Sequence, residues 1–342
     1  MKIGILTGGG DCPGLNPVIR AVVRKAFNEG HEVLGIKNGW KGLIEADTMP
    51  LNLETISGIL PKGGTILGTS RTNPYKKEGG LVKVRENFQK LGLDALVAVG
   101  GEDTLGVASK LVKDGIPNIV GVPKTIDNDL SCTDYTFGFD TALNIATECI
   151  DRLHTTAESH HRIIVAEVMG RHAGWIAIEA GIAGGADVVL IPEIPIDIEE
   201  VCGLIAKRHK RGKTFSIVVV AEGAQFKQKD MITQEEKLDE FGHVRLGGIG
   251  DQLAKEIEKR TGFETRVSVL GHIQRGGSPT AFDRILGTRF GVKAVELLKA
   301  KRFGRMVALS GNKIIDVPLE DAVKSLKTVD MEFYSIAKEF FG

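Results

Sequence analysis

Residues 95–110 read ALVAVGGEDTLGVASK. The unbroken apolar run over 95–99 predicts a buried strand, because a strand covered on both faces need not alternate. Gly100 and Gly101 then make a tight turn of the kind that lets backbone N–H groups approach a phosphate. Helical periodicity takes over across 104–113. Strand, glycine turn and helix form half of a βαβ unit, and recurrence of that pattern sets the fold. Glu102 and Asp103, directly after the glycines, pose a question. Two carboxylates repel a phosphate unless one holds a cation and the other keeps a ligand out.

The same alternation runs along the chain. Strands are expected at 3–6, 32–36, 95–99, 119–122, 163–167, 188–191, 216–221 and 266–270, and helices at 16–28, 104–113, 139–156, 173–180, 198–210, 251–260 and 281–300. This order predicts an α/β protein built on mostly parallel sheets, in which ligands bind beyond the carboxyl ends of the strands. Those ends carry TGGGDCPGLN (7–16), GGEDT (100–104), PKTIDNDL (123–130), VMGRHAGW (168–175), AEGAQ (221–225) and GHIQRGG (271–277). Each joins glycines to charged or amide side chains, and six such loops point to one polar cleft. The polar, weakly periodic stretch 223–248 reads as a surface excursion with a short hairpin.

Composition narrows the function. The 342 residues are 42% hydrophobic and 26% charged, with 44 basic and 44 acidic side chains. No apolar run spans a bilayer, and no net field draws nucleic acid or membrane, so neither is an expected partner. The strand-like start, without a signal-peptide pattern, leads us to expect a cytoplasmic protein. Cys12, Cys132, Cys149 and Cys202 form no C-x-x-C pair, and the histidines show no H-E-x-x-H spacing. A transition-metal site is therefore not expected.

The loops carry the chemistry. In PKTIDNDL, Asp127 and Asp129 flank Asn128, with Lys124 and Thr125 just before them. Two acids, an amide, a hydroxyl and a lysine after a strand suit chemistry on a hydroxyl, where an aspartate takes the proton and neighbours hold phosphate. Arg71 stands in GGTILGTSRTNP (63–74), and Arg162, Arg171, Arg266, Arg275 and His272 lie at or near strand ends. A set of cations in a chain of zero net charge fits a phosphorylated sugar. Glu222 could accept hydrogen bonds from sugar hydroxyls.

Together GILTGGGDCPGLN, GGTILGTSRTNP, GGEDT, PKTIDND, VMGRHAGWIA, AEGA and LGHIQRGGSPTAFDR resemble the 6-phosphofructokinase family, from residue 3 to about 290 and in the family's order. The resemblance implies two Rossmann-like three-layer domains facing a cleft. Residues 1–138 with about 273–305 would bind the phosphoryl donor, and about 139–272 with 306–342 the sugar phosphate. By the same resemblance, Asp127 is the base acting on the 1-hydroxyl of fructose 6-phosphate, with Thr125 and Asp129 beside it. Gly8, Gly9, Gly10 and Gly101 would bind donor phosphate. Met169, Gly170, Arg171 and Glu222 would line the sugar site, and His272 and Arg275 would bind its phosphate. Arg162 and Arg266 would reach a neighbouring subunit's site, which implies a homodimer or homotetramer.

Where the ATP-using branch of the family has GGDGS and PGTIDND, this chain has Asp103 and Lys124, as the pyrophosphate-using branch does. Glu102 would then help hold Mg²⁺, Asp103 would exclude the nucleotide, and Lys124 would offset charge on a small inorganic donor. The implied reaction is a reversible phosphoryl transfer of glycolysis and gluconeogenesis, with Arg71 and Arg171 assisting. An ATP-dependent phosphofructokinase and a non-catalytic sugar-phosphate sensor remain the alternatives.

Overall fold

The computed structural model describes residues 1–227 and 247–342. Most of the excursion at 223–248, including the expected hairpin, lies outside the described residues. In chain order the elements are β1 (Lys2–Thr7), α1 (Leu15–Asn28), β2 (Glu32–Ile36), α2 (Trp40–Glu45), β3 (Thr48–Leu51), α3 (Gly80–Lys90), β4 (Ala95–Gly100), α4 (Glu102–Lys113), β5 (Ile119–Thr125) and β6 (Phe137–Gly138). There follow α5 (Phe139–His160), β7 (Ile163–Val168), α6 (Trp175–Ala183), β8 (Val188–Leu190), α7 (Ile198–Lys210), β9 (Ser216–Ala221), α8 (Ile249–Thr261) and β10 (Thr265–Val269). The chain closes with α9 (Ala281–Lys299), β11 (Arg305–Ser310), β12 (Lys313–Pro318), α10 (Leu319–Ala322) and α11 (Met331–Lys338).

Two sheets result. The first runs β12-β11-β5-β4-β1-β2-β3, with β6 beside β5, and is parallel except at its two outer pairs. The second runs β10-β7-β9-β8 and is parallel throughout. Every residue of β4 is buried. Val97 and Val99 pack into the core shared with α1 and α9, whereas Leu96 and Ala98 face the opposite layer with Leu105 and Leu111 of α4. Cover on both faces explains why this strand is continuously apolar, and each such Leu or Val contributes roughly 1.5–3 kcal/mol on burial.

The position of β1 between β2 and β4 creates a change of direction in the first sheet, and the crevice beyond the strand ends opens there. The turns after β1 and β4 therefore meet. The Gly8 N–H donates to Val99 O at 2.9 Å, and Gly9 N–H donates to Ser70 O at 3.1 Å. A side chain at Gly8 would lie 2.6 Å from Thr104 Oγ1, so the two turns can close together only with glycine there.

One expectation is corrected. Residues 306–318 extend the first sheet and do not join the second: Met306 pairs with Gly121 of β5, and β11 and β12 form an antiparallel pair across six registered positions. The run RMVALS finds its partner at the open edge of β5, where Leu309 N–H also donates to Thr133 Oγ1 at 3.0 Å. Only the last segment sits against the second sheet, with Tyr334 Oη donating to Val189 O at 3.2 Å. Among the described residues no helix is long and apolar enough to cross a membrane.

Candidate active site

Gly9, Gly10, Arg71, Gly101, Glu102, Asp103, Lys124, Thr125, Asp127 and Asp129 line one side of a cleft. Arg171 and Arg275 close it from the second sheet's loops. Acids and bases thus face each other at close quarters, and an incoming phosphate meets both.

Asp127 is 4% exposed and held by its neighbour two residues back. Thr125 Oγ1 donates to Asp127 Oδ2 at 3.0 Å and accepts from the Asp127 N–H at 3.1 Å. The other oxygen, Oδ1, is buried and has no hydrogen-bond partner among the described residues. A buried carboxylate oxygen without a donor is costly, so its open lone pairs mark the place where a ligand hydroxyl can bind. Asn128 takes a left-handed conformation (φ 52°), which asparagine tolerates better than most residues. Its turn leaves both flanking carboxylates, Asp127 and Asp129, on the cleft wall.

Burial shifts the groups around Asp127. It pushes the Asp129 carboxyl well up, reinforced by the charge of Asp127 and opposed by Arg171. Burial also raises Glu222 to about 7, again with the Asp127 charge adding to it. The Arg171 N–H donates to Glu222 Oε1 at 3.3 Å, which holds the expected sugar-site acid against the Arg171 loop. Lys124, 3% exposed, is lowered by burial, and its Nζ donates to Gly10 O across the glycine turn.

Glu102 and Asp103 open helix α4, where the N-terminal dipole favours negative charge. They occupy a helix end that would otherwise be available to a phosphate. Asp103 Oδ2 lies 3.9 Å from Arg171 Nη1, a contact that spans the cleft. Arg171 is itself left-handed (φ 53°), and a side chain at Gly223 would overlap its carbonyl oxygen, so this loop has little freedom.

Other expected residues sit in different places. Gly8 abuts Thr104 and is not on the cleft wall. Arg275 Nη1 donates to Asp11 O at 3.1 Å, which carries the GHIQRGG loop back onto the first glycine turn. His272 is exposed in the same loop. The Met169 N–H donates to Gln274 Oε1 at 2.9 Å, and Gly170 adopts φ 142° directly after it. Arg162 and Arg266 lie at the amino ends of β7 and β10, joined through Glu264, with Arg162 Nη2 at 2.8 Å. Because β7 places roughly 20 Å between its two ends, neither arginine lines the cleft of its own chain.

Thr104 and Gln274 were overlooked in the sequence, although both sit inside quoted motifs. Thr104 lines the cleft, and Gln274 is fully buried with Nε2 unpartnered among the described residues. Lys327 carried no signal at all. Its Nζ donates to Asn128 Oδ1 at 3.0 Å from a segment with no motif.

Among the described residues no group of three acidic, histidine or cysteine side chains is arranged to hold a metal ion by itself. Magnesium, however, keeps several waters and takes one or two carboxylates together with substrate phosphates. Glu102, Asp103, Asp127 and Asp129 fit that demand. The buried Asp127 Oδ1, without a hydrogen-bond partner among the described residues, leaves an oxygen open to such a cation or its water.

Sequence comparison agrees with this geometry. The phosphofructokinase family profile matches residues 2–298. The chain is 59% identical to the pyrophosphate–fructose 6-phosphate 1-phosphotransferase of Streptomyces coelicolor, over 100% of both chains. It is 55% identical, again over 100% of both, to the ATP-dependent 6-phosphofructokinase of Mycobacterium tuberculosis. The structure of phosphofructokinase from Saccharomyces cerevisiae superimposes with a TM-score of 0.82 at 32% identity, covering 99% of this chain and 46% of that one. The chain thus spans about half the length of the yeast polypeptide.

Proposed function

The chain belongs to the phosphofructokinase family, and on that premise we propose that it transfers a phosphoryl group reversibly between pyrophosphate and the 1-hydroxyl of fructose 6-phosphate. The products are fructose 1,6-bisphosphate and phosphate. The observation that carries this reading is the unpartnered, buried Asp127 Oδ1 in a cleft walled by Lys124, Arg71, Arg171 and Arg275.

Asp127 Oδ1 accepts the hydroxyl proton while the sugar oxygen bonds to phosphorus, and the departing phosphate keeps the electron pair of the broken P–O bond. Thr125 holds the other carboxylate oxygen and so fixes the direction of Oδ1. Lys124, Arg71 and Arg171 stabilise charge spreading over the transferring group, and the Gly9–Gly10 and Gly101 turns offer backbone N–H groups. Glu222, Met169 and Gly170 hold the sugar ring, with Arg275 and His272 at its phosphate. Glu102 and the neighbouring carboxylates would hold Mg²⁺, which would supply positive charge to offset that of the donor phosphates.

The residues favour pyrophosphate over ATP. Asp103, tied to Arg171, sets a carboxylate where a nucleotide's α-phosphate would extend, and Lys124 adds a cation suited to a small donor. One observation favours the ATP-dependent alternative: a groove of about 480 Å³ shares Glu102 and Asp103 with the cleft and is lined by Lys76, Lys110, Lys113 and Lys324. Asp103 lines this groove too, and its carboxylate opposes that use.

The active unit contains at least two copies. Arg162 and Arg266 of one chain would complete the sugar-phosphate site of another, which explains their distance from their own cleft. Val269, Ile273, Phe282 and Ile285 are exposed apolar side chains available for contact between copies. The test of the reading is the reverse reaction. With Mg²⁺, the protein should form pyrophosphate from fructose 1,6-bisphosphate and phosphate, and absence of turnover in both directions would reject it.

A further inference from the structure

Residues 325–329 thread between the two loops that carry the site. On one side, Leu326 pairs antiparallel with Leu130, Ser131 Oγ donates to Ser325 O at 2.7 Å, and the Lys327 N–H donates to Asp129 O at 2.8 Å. On the other, Trp175 Nε1 donates to Lys327 O at 2.8 Å. Two residues further on, Glu193 Oε1 accepts from both Val329 N–H (2.8 Å) and Gly174 N–H (3.0 Å). One short strap therefore ties the Asp127–Asp129 turn to the segment that follows Arg171.

The Lys327 side chain is the centre of this strap. Its Nζ donates to Asn128 Oδ1 at 3.0 Å, Thr133 O at 3.0 Å and Asp134 O at 2.8 Å, which uses all three ammonium hydrogens. The ammonium also lies 5.3 Å from the centre of the Trp175 ring, within cation–π range. Asn128 Oδ1 receives one further bond, from Thr136 N–H at 3.1 Å. Asn128 is the left-handed residue whose conformation sets both flanking carboxylates toward the cleft. Lys327 is outside the cleft wall and touches none of the reacting groups directly.

We propose that Lys327 is a positioning residue for the reaction: its ammonium locks the Asn128 turn, and with it the aim of Asp127, while its backbone couples that turn to the Arg171 loop. The activity part of this inference rests on the phosphotransfer reading. The geometric part does not.

The experiment compares full-length wild type, Lys327→Met and Lys327→Arg. Lys327→Met should lower kcat by about 30-fold, the order expected when a charged hydrogen-bond donor is lost, with each KM changed less than about threefold. Lys327→Arg, which keeps the charge and several donors, should recover at least about a third of the lost rate factor on a logarithmic scale. In an Asp127→Ser background, Lys327→Met should cost at most about twofold, because the base it positions is gone. A general folding defect would cost the same in both backgrounds and would overturn the proposal, as would a kcat within about threefold of wild type. Hydrogen exchange supplies the arm that needs no turnover. In folded Lys327→Met, amides of 125–131 should lose protection while those of β4 keep theirs, and unchanged protection at 125–131 would overturn the proposal even if the protein turned over no sugar phosphate. Failure of wild-type turnover with normal exchange behaviour would instead reject the phosphotransfer reading.

Discussion

Asp103 and Arg171 face each other across the cleft at 3.9 Å, one from the first turn of α4 and the other from the loop after β7. This pair links the residue proposed to discriminate donors to the arginine proposed to act on the transferring phosphoryl group. It also answers the question raised by two adjacent carboxylates. Glu102 and Asp103 share a helix end, and Asp103 forms an ion pair with Arg171 on the opposite side.

Removing the two side chains proposed to select the donor should reverse the preference. Asp103→Gly with Lys124→Gly is expected to lower kcat/KM for pyrophosphate by at least about 100-fold, the range seen when oriented charge is removed from a transition state, and to raise ATP use. Steady-state kinetics with each donor checks this. Undiminished pyrophosphate use would contradict the roles given to both residues.

Asp127→Ser separates function from stability. Loss of a general base should lower kcat by about 10²–10⁴-fold. The substitution also removes a buried carboxylate oxygen that has no partner among the described residues, so the ligand-free melting temperature should hold or rise. A fall in melting temperature would show that the Thr125 bond to Oδ2 outweighs the cost of the open Oδ1.

Stability should depend on pH through Glu222. Burial, with the Asp127 charge, raises this group to about 7 from the ordinary glutamate range. Its contribution is complete below about pH 4.3, the unfolded value, and is lost as pH rises through about 7, because the folded protein retains a proton that the unfolded chain releases. Burial shifts Asp129 in the same direction. Thermal melts of ligand-free protein between pH 5.5 and 8 should fall more steeply for wild type than for Glu222→Gln, by at least about 2 °C over that range. Parallel slopes would contradict the assignment.

Arg162 and Arg266 test assembly. Arg266→Ala should raise KM for fructose 6-phosphate by about tenfold, consistent with loss of a charge-assisted phosphate contact, and leave KM for pyrophosphate within about twofold. Mixing Arg266→Ala with Asp127→Ser subunits should restore a low-KM component of activity that neither has alone, because some sites then receive an intact copy of each residue. No recovery after subunit exchange would contradict sites shared between chains.

Much of this site could be read from local rules. The β4–turn–α4 stretch declares itself by an apolar run, paired glycines and helical period, and PKTIDND concentrates acids where a parallel sheet presents its ligands. Thr104 and Gln274 escaped notice because a hydroxyl and an amide carry no charge pattern, although they lie within quoted loops. The β11–β12 pair and Lys327 were illegible for a different reason. Their partners, Gly121 on β5 and Asn128 after it, are nearly 200 residues away in sequence, and no local period encodes a long-range edge pairing or a lysine that spans to a distant turn. That Arg162 and Arg266 lie side by side at one edge likewise emerges only once β7 and β10 are aligned in parallel.

The most direct measurement is the initial rate of fructose 6-phosphate phosphorylation by purified protein with Mg²⁺, with pyrophosphate and ATP compared over the same concentration range. The account predicts a kcat/KM for pyrophosphate at least about 100-fold above that for ATP, since one misplaced carboxylate against a phosphate costs several kcal/mol in a partly buried site. Comparable or preferential use of ATP would contradict it, and would mean that Asp103 moves aside and the lysine-lined groove holds the nucleotide.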